Sequence, residues 1–264
     1  MELIKQLRAM TGAGMVDCQK ALKEAENDLD KAVEILRKKG IAKAAKRTDR
    51  DTNEGVVKLK VNAAGNEAYI LELNSETDFV ARNDQFQAFA DQVLEVIATE
   101  KPANLDELLA LPLNDLSVGD TLNNLSGVIG EKMTINRFAI LSGETVAAYS
   151  HLGGKIGVLV ALNKPGMTAL ATDIAMQIAA ANPKYLKPED VPAEEIEKEK
   201  SIYREQLLKE GKPEVMVDKI VDGKMGKYYS EVCLVEQEFI KDDKKKVKEI
   251  LAGAEILGFV RYSL

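Results

Sequence analysis

The stretch TDFVARND, at residues 77–84, separates two patterns that predict different secondary structure. Residues 55–74 before it carry the alternating apolar pattern of strands, and residues 83–98 after it carry the apolar spacing of a helix. Phe79 therefore stands where strand gives way to helix. Residues at such junctions lie at the surface and carry function more often than core residues do, although on residue type alone Phe79 would be buried and Asp78 would cap the helix.

The residues around this junction predict a compact α+β unit. Val57, Leu59 and Val61 alternate with lysines, which is typical of a half-buried strand. The turn at 64–66 and the apolar run at 68–73 complete a hairpin. The helix at 83–98, short helices within 104–130 and a strand at 132–141 follow.

The same order of elements then recurs. Strands are predicted at 145–151 and 156–162, joined by a turn at 152–155, and a helix is predicted at 167–181. Two more strands, at 231–236 and 255–262, with a helix at 243–252 between them, would complete this second unit. We interpret the recurrence as an internal duplication, so that the core has two copies of one α+β unit with antiparallel sheets.

The remaining segments are helical. Residues 1–40 predict three short helices, with glycines breaking the first from the second, Asp28 capping the third and Gly40 ending it. Residues 188–228 predict an inserted antiparallel helical hairpin of coiled-coil type with narrow apolar seams. The predicted division is a three-helix module (1–40), a charged linker (41–54), a first core subdomain (55–142), a second core subdomain (143–187 and 229–264) and the hairpin (188–228).

Composition excludes several classes of function. The chain has 264 residues, 45% of them hydrophobic and 30% charged, and a net charge of -7. An acidic protein is a poor candidate for direct nucleic-acid binding. The two cysteines and the single histidine predict neither a disulfide framework nor a metal site. With no apolar run of membrane length and an amphipathic helix at the N-terminus, we expect a cytoplasmic protein without an export signal.

Two motifs have ordinary explanations. Gly12-Ala13-Gly14 precedes a helix and could hold a phosphate, but no strand precedes it and no Gly-Lys-Ser/Thr follows, so a tight turn between helices is favoured. His151 is the only histidine and on type alone is a surface residue at a strand end. An enzyme that used His151 is an alternative, and it predicts a deep pocket of converging polar groups around that residue.

Three blocks of sequence carry a resemblance to a known family. They are LRAMTGAGMVDCQKALKEAENDLDKAVEILRKKG at 7–40, LELNSETDFVARNDQFQAFADQV at 71–93 and HLGGKIGVLVAL at 151–162. On these blocks the chain resembles the elongation factor Ts family, the nucleotide exchange factors of bacterial translation elongation. An alternative hypothesis is that the chain binds ubiquitin-like proteins. It rests on the three-helix module alone and leaves the rest of the chain unexplained.

The resemblance implies a function and a partner. The three-helix module resembles a ubiquitin-associated (UBA-like) fold and would dock on the GTPase domain of elongation factor Tu. The two-copy core would contact that domain and a neighbouring barrel domain, and the hairpin is associated with self-association in some members. The chain would promote GDP release without being an enzyme and without a cofactor.

The resemblance also implies the site residues. Asp78 and Phe79, flanked by Thr77 and Val80, correspond to a wedge that disturbs the Mg²⁺ and phosphate region of the partner. His151 corresponds to a nearby contact. Further docking residues would be Arg8, Met15 and Val16. We therefore expect partner-binding residues but no catalytic residue and no metal ligand, and we expect Phe79 to be exposed.

Overall fold

A computed structural model describes residues 1–11, 13–45, 47 and 49–264, with the backbone alone for residues 41–45. Gly12 of the predicted interhelical turn lies outside the described residues, as do Lys46 and Thr48 of the predicted linker. Within the described ranges, no helix has the length and apolar character needed to cross a membrane.

The fold is α+β, as the sequence patterns predict. In chain order the helices are α1 (Glu2–Thr11), α2 (Met15–Glu24), α3 (Leu29–Ala45), α4 (Asp78–Ala81), α5 (Asp84–Glu100), α6 (Leu105–Ala110), α7 (Val118–Ile129), α8 (Thr168–Ala181), α9 (Ala193–Lys209), α10 (Glu214–Val232) and α11 (Val247–Ile250). The strands are β1 (Glu54–Val61), β2 (Glu67–Ser75), β3 (Pro112–Leu113), β4 (Leu116–Ser117), β5 (Met133–Ser142), β6 (Thr145–His151), β7 (Ile156–Leu162), β8 (Glu238–Phe239), β9 (Asp242–Lys246) and β10 (Ile256–Ser263).

Two antiparallel three-stranded sheets have the same topology. In the first sheet the order is β1-β2-β5, and in the second it is β10-β7-β6. In each, a hairpin is followed by a long helix, and a later strand returns to pair with the second strand of the hairpin. This shared order confirms the predicted duplication of an α+β unit.

The central strands β2 and β7 are covered on both faces. In β2, Tyr69, Leu71 and Leu73 pack in the cluster that contains the apolar face of α5. The alternate residues Ala68 and Ile70 pack in a cluster shared with the second sheet. Because successive side chains of a strand point to opposite faces, one strand serves two hydrophobic layers.

The second sheet mirrors this arrangement. In β7, Val158, Val160 and Leu162 pack with α8, while Leu159 and Ala161 face the first sheet. The core therefore has four layers in the order helix, sheet, sheet, helix. Burial on both faces accounts for the consecutive apolar residues at 68–71 in β2 and at 158–162 in β7.

The two sheets approach closely at Gly157, the second residue of β7. A Cβ atom built at Gly157 would lie 2.4 Å from Cγ1 of Val57 and 3.2 Å from Cδ2 of Leu59. A side chain at this position would therefore clash with the facing strand β1. Glycine is required here for sheet packing and not for backbone conformation.

Helix α3 differs from the sequence prediction at its C-terminal end. Asp28 caps its start, as predicted, by accepting a hydrogen bond from the Lys31 N–H at 3.0 Å. The expectation that Gly40 ends the helix is wrong, since α3 continues to Ala45. Gly40 instead lies where α3 crosses α7, and a Cβ atom at Gly127 of α7 would be 2.6 Å from the Gly40 Cα. The missing side chains allow the two helices to touch.

The inserted hairpin consists of α9 and α10, which share a hydrophobic cluster of their own. The strand expected at 231–236 is wrong, because α10 runs to Val232 and a 3-10 turn follows at Leu234–Glu236. Val221, Met225 and Tyr228 form the buried face of α10 just before this stretch. The helix expected at 243–252 is reduced to α11, because the short strands β8 and β9 pair before it.

We predict that Gly157→Ala destabilises the protein by about 1–3 kcal/mol, because the added methyl group overpacks the layer between the sheets. Gly223→Ala is the matched control. Gly223 is exposed within α10, and a Cβ atom there meets nothing within 4 Å. The control should gain about 0.5–1 kcal/mol from improved helix propensity. Chemical denaturation measures both, and equal effects of the two substitutions would contradict the packing argument.

Candidate functional site

The TDFVARND stretch forms a single helical turn, α4, between β2 and α5. Thr77 caps it with an extended backbone, and its hydroxyl oxygen accepts a hydrogen bond from the Val80 N–H at 3.4 Å. Asp78, which residue type alone favours as the cap, is the first helical residue. Asn83 then caps α5 by accepting from the N–H groups of Gln85 and Phe86. The two caps fix where the short helix α4 and the long helix α5 begin.

Phe79 points away from the protein. Its exposed fraction is 80%, whereas the next two residues, Val80 and Ala81, are buried in the cluster beneath α4. Four helical residues cannot all face inward, and Val80 and Ala81 occupy the inward positions. The expectation that Phe79 is exposed is confirmed.

Polar contacts of Asp78 border the exposed ring. The Asp78 carboxylate accepts a hydrogen bond from Arg82 Nη2 at 2.7 Å, one helical turn further on. Both side chains are partly in solvent, so this pair adds little to stability. It leaves a mixed-charge edge beside Phe79.

Two carboxylates hold the base of this turn. Glu131 Oε2 accepts from the Thr77 N–H at 3.0 Å, and Glu131 Oε1 accepts from the Thr77 hydroxyl at 2.7 Å. Glu76 Oε1 accepts from the Lys132 N–H at 2.5 Å, and both Glu76 oxygens accept from Arg50 Nη1 at 3.1 Å. Sequence patterns did not identify these residues, because nothing in the sequence indicates that the segments around residues 76 and 131 lie side by side.

His151 ends β6 at the surface. Its Nδ1 lies 3.1 Å from the Tyr149 hydroxyl, and the two rings stack with centroids 5.9 Å apart. Leu152 follows with an exposed fraction of 65% and a φ of 52°. An exposed leucine in a left-handed turn is unusual, and this apolar residue beside His151 is a contact candidate that the sequence analysis missed. Its signal was an apolar side chain where a hairpin turn favours polar ones.

Strand β1 brings the two stretches to one end of the core. Its first residue, Glu54, pairs in register with Ser75 at the end of β2. The Glu54 carboxylate also contacts Lys155 Nζ at 3.3 Å, and the Val57 N–H donates to the Gly154 carbonyl at 2.7 Å. The start of β1 therefore adjoins both the chain that leads into α4 and the turn at 152–155.

The predicted N-terminal docking residues lie on α1 and α2. Arg8 is exposed on α1, and Met15 and Val16 are exposed at the start of α2 with fractions of 56% and 61%. These helices have a hydrophobic cluster separate from the one under α4. Met10, which the sequence analysis did not single out, is also exposed near them.

His151 is exposed at the end of β6. We describe three cavities, of about 520, 450 and 320 Å³, and His151 lines none of them. The largest lies between the three N-terminal helices and α7. Among the residues whose structure is described, no group of three or more His, Cys, Asp or Glu side chains could hold a metal ion. None of these three cavities is the deep polar pocket around His151 that the enzyme alternative predicts.

We predict a pH-dependent contribution from Glu76. Burial opposes its ionisation, but the Lys132 N–H and the Arg50 guanidinium outweigh burial and lower the pKa of Glu76 below its ordinary value of 4.5. A lowered folded-state pKa stabilises the fold above pH 4.5, and that stability is lost as the pH falls through the folded-state pKa. The free energy of unfolding of Glu76→Gln should lie below that of the unsubstituted protein at pH 7. This difference in the free energy of unfolding should become smaller below pH 4.5. A difference that does not change with pH would contradict the role given to Glu76.

Comparison with known proteins identifies the family. A family model described as Elongation factor TS matches residues 76–264. The match begins one residue before Thr77 and includes α4, the second sheet and the helical hairpin. Members of this family are nucleotide exchange factors of translation elongation, and their partner is elongation factor Tu. With well over half of its residues matched, the chain belongs to the elongation factor Ts family.

Proposed function

We propose that this chain binds elongation factor Tu·GDP and promotes GDP release by inserting Phe79 as a wedge. The observation that carries the proposal is the 80% exposed Phe79 on a turn that Thr77 caps and that the Asn83 cap of α5 follows. A large apolar side chain held in water gains free energy when a partner buries it, and such aromatic anchors dominate many interfaces. The ring would enter between elements of the GTPase domain near its Mg²⁺ and phosphate region.

The proposed mechanism is a shift of equilibrium. An exchange factor must bind the nucleotide-free partner more tightly than the nucleotide-bound partner, because only differential affinity shifts the population. A wedge under the metal site supplies that difference, since weaker coordination of Mg²⁺ weakens the hold on the phosphates. The chain makes no covalent bond in this scheme, and its own residues need no cofactor.

The other predicted site residues take supporting roles. Asp78 and His151 would form polar contacts around the wedge, and the exposed Leu152 would extend the apolar part of that face. Thr77 and Val80 would act from beneath, since Thr77 caps the turn and Val80 is 9% exposed. Arg8, Met15 and Val16 would dock separately, through the N-terminal helices.

We also propose the wider organisation that the sequence predicts. The three-helix module, the two core subdomains and the hairpin would act as separate units with the boundaries given above, in the cytoplasm. Self-association would use the hairpin. Leu208, Val215 and Met216 are exposed apolar residues near the connection between α9 and α10, and burial against a second copy would stabilise them.

The wedge predicts that Phe79→Ala slows release of a fluorescent GDP analogue from elongation factor Tu by about tenfold or more, equivalent to about 1.4 kcal/mol. Its free energy of unfolding should hardly change, because the ring is exposed. Leu257→Ala is the matched control, since Leu257 is an exposed apolar residue on β10. That variant should exchange normally.

Phe86→Ala provides the opposite comparison. Phe86 is fully buried on α5, so its truncation should cost about 3–5 kcal/mol of stability. If Phe79→Ala lowered the free energy of unfolding as much as it raised the barrier to GDP release, Phe79 would act as a structural core residue. The wedge proposal would then be wrong.

A double-mutant cycle tests whether the two stretches meet one partner surface. Asp78→Ala and His151→Ala should each slow GDP release modestly, since polar contacts around an anchor usually contribute less than the anchor itself. If both contact the same part of the GTPase domain, the double variant should deviate from additivity by about 0.5 kcal/mol or more. Strict additivity would indicate two independent contacts.

A further inference from the structure

The turn that carries Phe79 is tied to a distant segment by a reciprocal pair of carboxylates. Glu131 accepts from the N–H and the hydroxyl of Thr77. In return, Glu76, the residue before Thr77, accepts from the N–H of Lys132, the residue after Glu131. Each segment therefore supplies a side chain to the backbone of the other. We call residues 76–77 and 131–132 the carboxylate clamp.

Every polar group of Thr77 takes part in a hydrogen bond, within the clamp or to the neighbouring residues. Its N–H and hydroxyl donate to Glu131, and its hydroxyl oxygen also accepts from the Val80 N–H. Its carbonyl accepts from the Ser75 hydroxyl at 3.0 Å and from the Ala81 N–H at 3.2 Å. The start of α4 is thus fixed by hydrogen bonds on both sides.

Phe79 depends on this fixation more than a core residue would. Its ring is too exposed for neighbouring side chains to set its direction. The direction is instead set by the backbone of α4, a helix of four residues. A single helical turn is not stable by itself, so its geometry depends on the capping residue and on what holds that residue.

The clamp also continues toward the N-terminal helices. Glu131 follows Gly130, which ends α7 in a left-handed conformation. The Ser126 hydroxyl on α7 donates to the Glu131 carbonyl at 2.6 Å, and the Ser126 carbonyl accepts from Arg47 Nη1 at 2.9 Å. Since α7 also contacts α3 at Gly40, the helix that positions Glu131 is the helix on which the N-terminal module rests.

We propose that Glu131 is a positioning residue for nucleotide exchange. By holding Thr77, its carboxylate fixes α4 and so the direction in which Phe79 leaves the surface. Glu131 acts through Phe79 and touches neither nucleotide nor metal. This inference rests on the proposed wedge function of Phe79, and its test separates the two.

The test compares four proteins: the unsubstituted chain, Glu131→Ala, Phe79→Ala and the double variant. Release of a fluorescent GDP analogue from elongation factor Tu is the readout. Loosening an anchor costs binding energy through the lost pre-organisation, so Glu131→Ala should slow release about fivefold. The double variant should be no slower than Phe79→Ala alone, because without the ring its direction no longer matters.

The matched control is Glu95→Ala. Glu95 is also a glutamate in a side-chain contact, with Lys60, but it lies near the C-terminal end of α5. Lys60 is at the end of β1 opposite to Glu54, so this pair is remote from the clamp. The control should release GDP at the unsubstituted rate.

A second readout needs no partner. Amide hydrogen exchange of the Val80 N–H in the free protein should accelerate in Glu131→Ala and stay unchanged in Glu95→Ala. Glu131→Gln retains one acceptor oxygen and should give an intermediate result in both assays. If Glu131→Ala does not fold, Glu131→Gln replaces it in the cycle.

The outcomes divide cleanly. If Glu131→Ala slows GDP release as much in the Phe79→Ala background as in the unsubstituted one, Glu131 does not act through Phe79 and the proposal is wrong. Unchanged release and unchanged Val80 exchange would also overturn it. If Phe79→Ala leaves release unchanged, the wedge itself fails and the positioning role falls with it. A slow Phe79→Ala together with a normal Glu131→Ala refutes the positioning role alone.

Discussion

The apolar layer between the two sheets is the contact on which the rest of this structure depends. Each central strand, β2 and β7, has helices on one face and the other sheet on its second face. A shift of register by one residue would send every side chain of such a strand to the wrong layer. The two copies of the unit are therefore locked together. At Gly157 the layer is so thin that a methyl group has no room.

This packing brings the candidate site together. The turn at 152–155 belongs to one copy and α4 belongs to the other, and they are far apart in sequence. Strand β1 contacts both, through Glu54, its partner Ser75 and the backbone hydrogen bond from Val57 to Gly154. The position of His151 relative to Phe79 is a consequence of how the two sheets pack and not of any local pattern.

The exposed ring of Phe79 has an energetic meaning. Leaving a phenylalanine in water forgoes about 1.5–3 kcal/mol that burial would contribute. The free protein offsets this with the buried Val80 and Ala81 beneath the ring and with the hydrogen bonds of the carboxylate clamp. The free energy that is not gained in folding remains available for binding a partner. Helix α4, with Val80 and Ala81 buried and Phe79 exposed, is suited to binding a partner in this way.

The sequence by itself determined the elements whose signal is local. The hairpins, the long helices α5 and α8, the cap at Asp28 and the duplication all follow from apolar period, capping residues and turn residues, and TDFVARND marked the candidate site. Local pattern could not decide the role of Gly40, because a glycine that ends a helix and one that lets two helices touch look alike until the second helix is placed. It could not decide that α10 extends to Val232 and is followed by a 3-10 turn instead of a strand. It also could not decide that Glu131 holds Thr77, since 54 positions separate those two residues. Tertiary structure decided these points, because long-range contacts are set by the packing of the two sheets and of α3 on α7, which no short window of sequence contains.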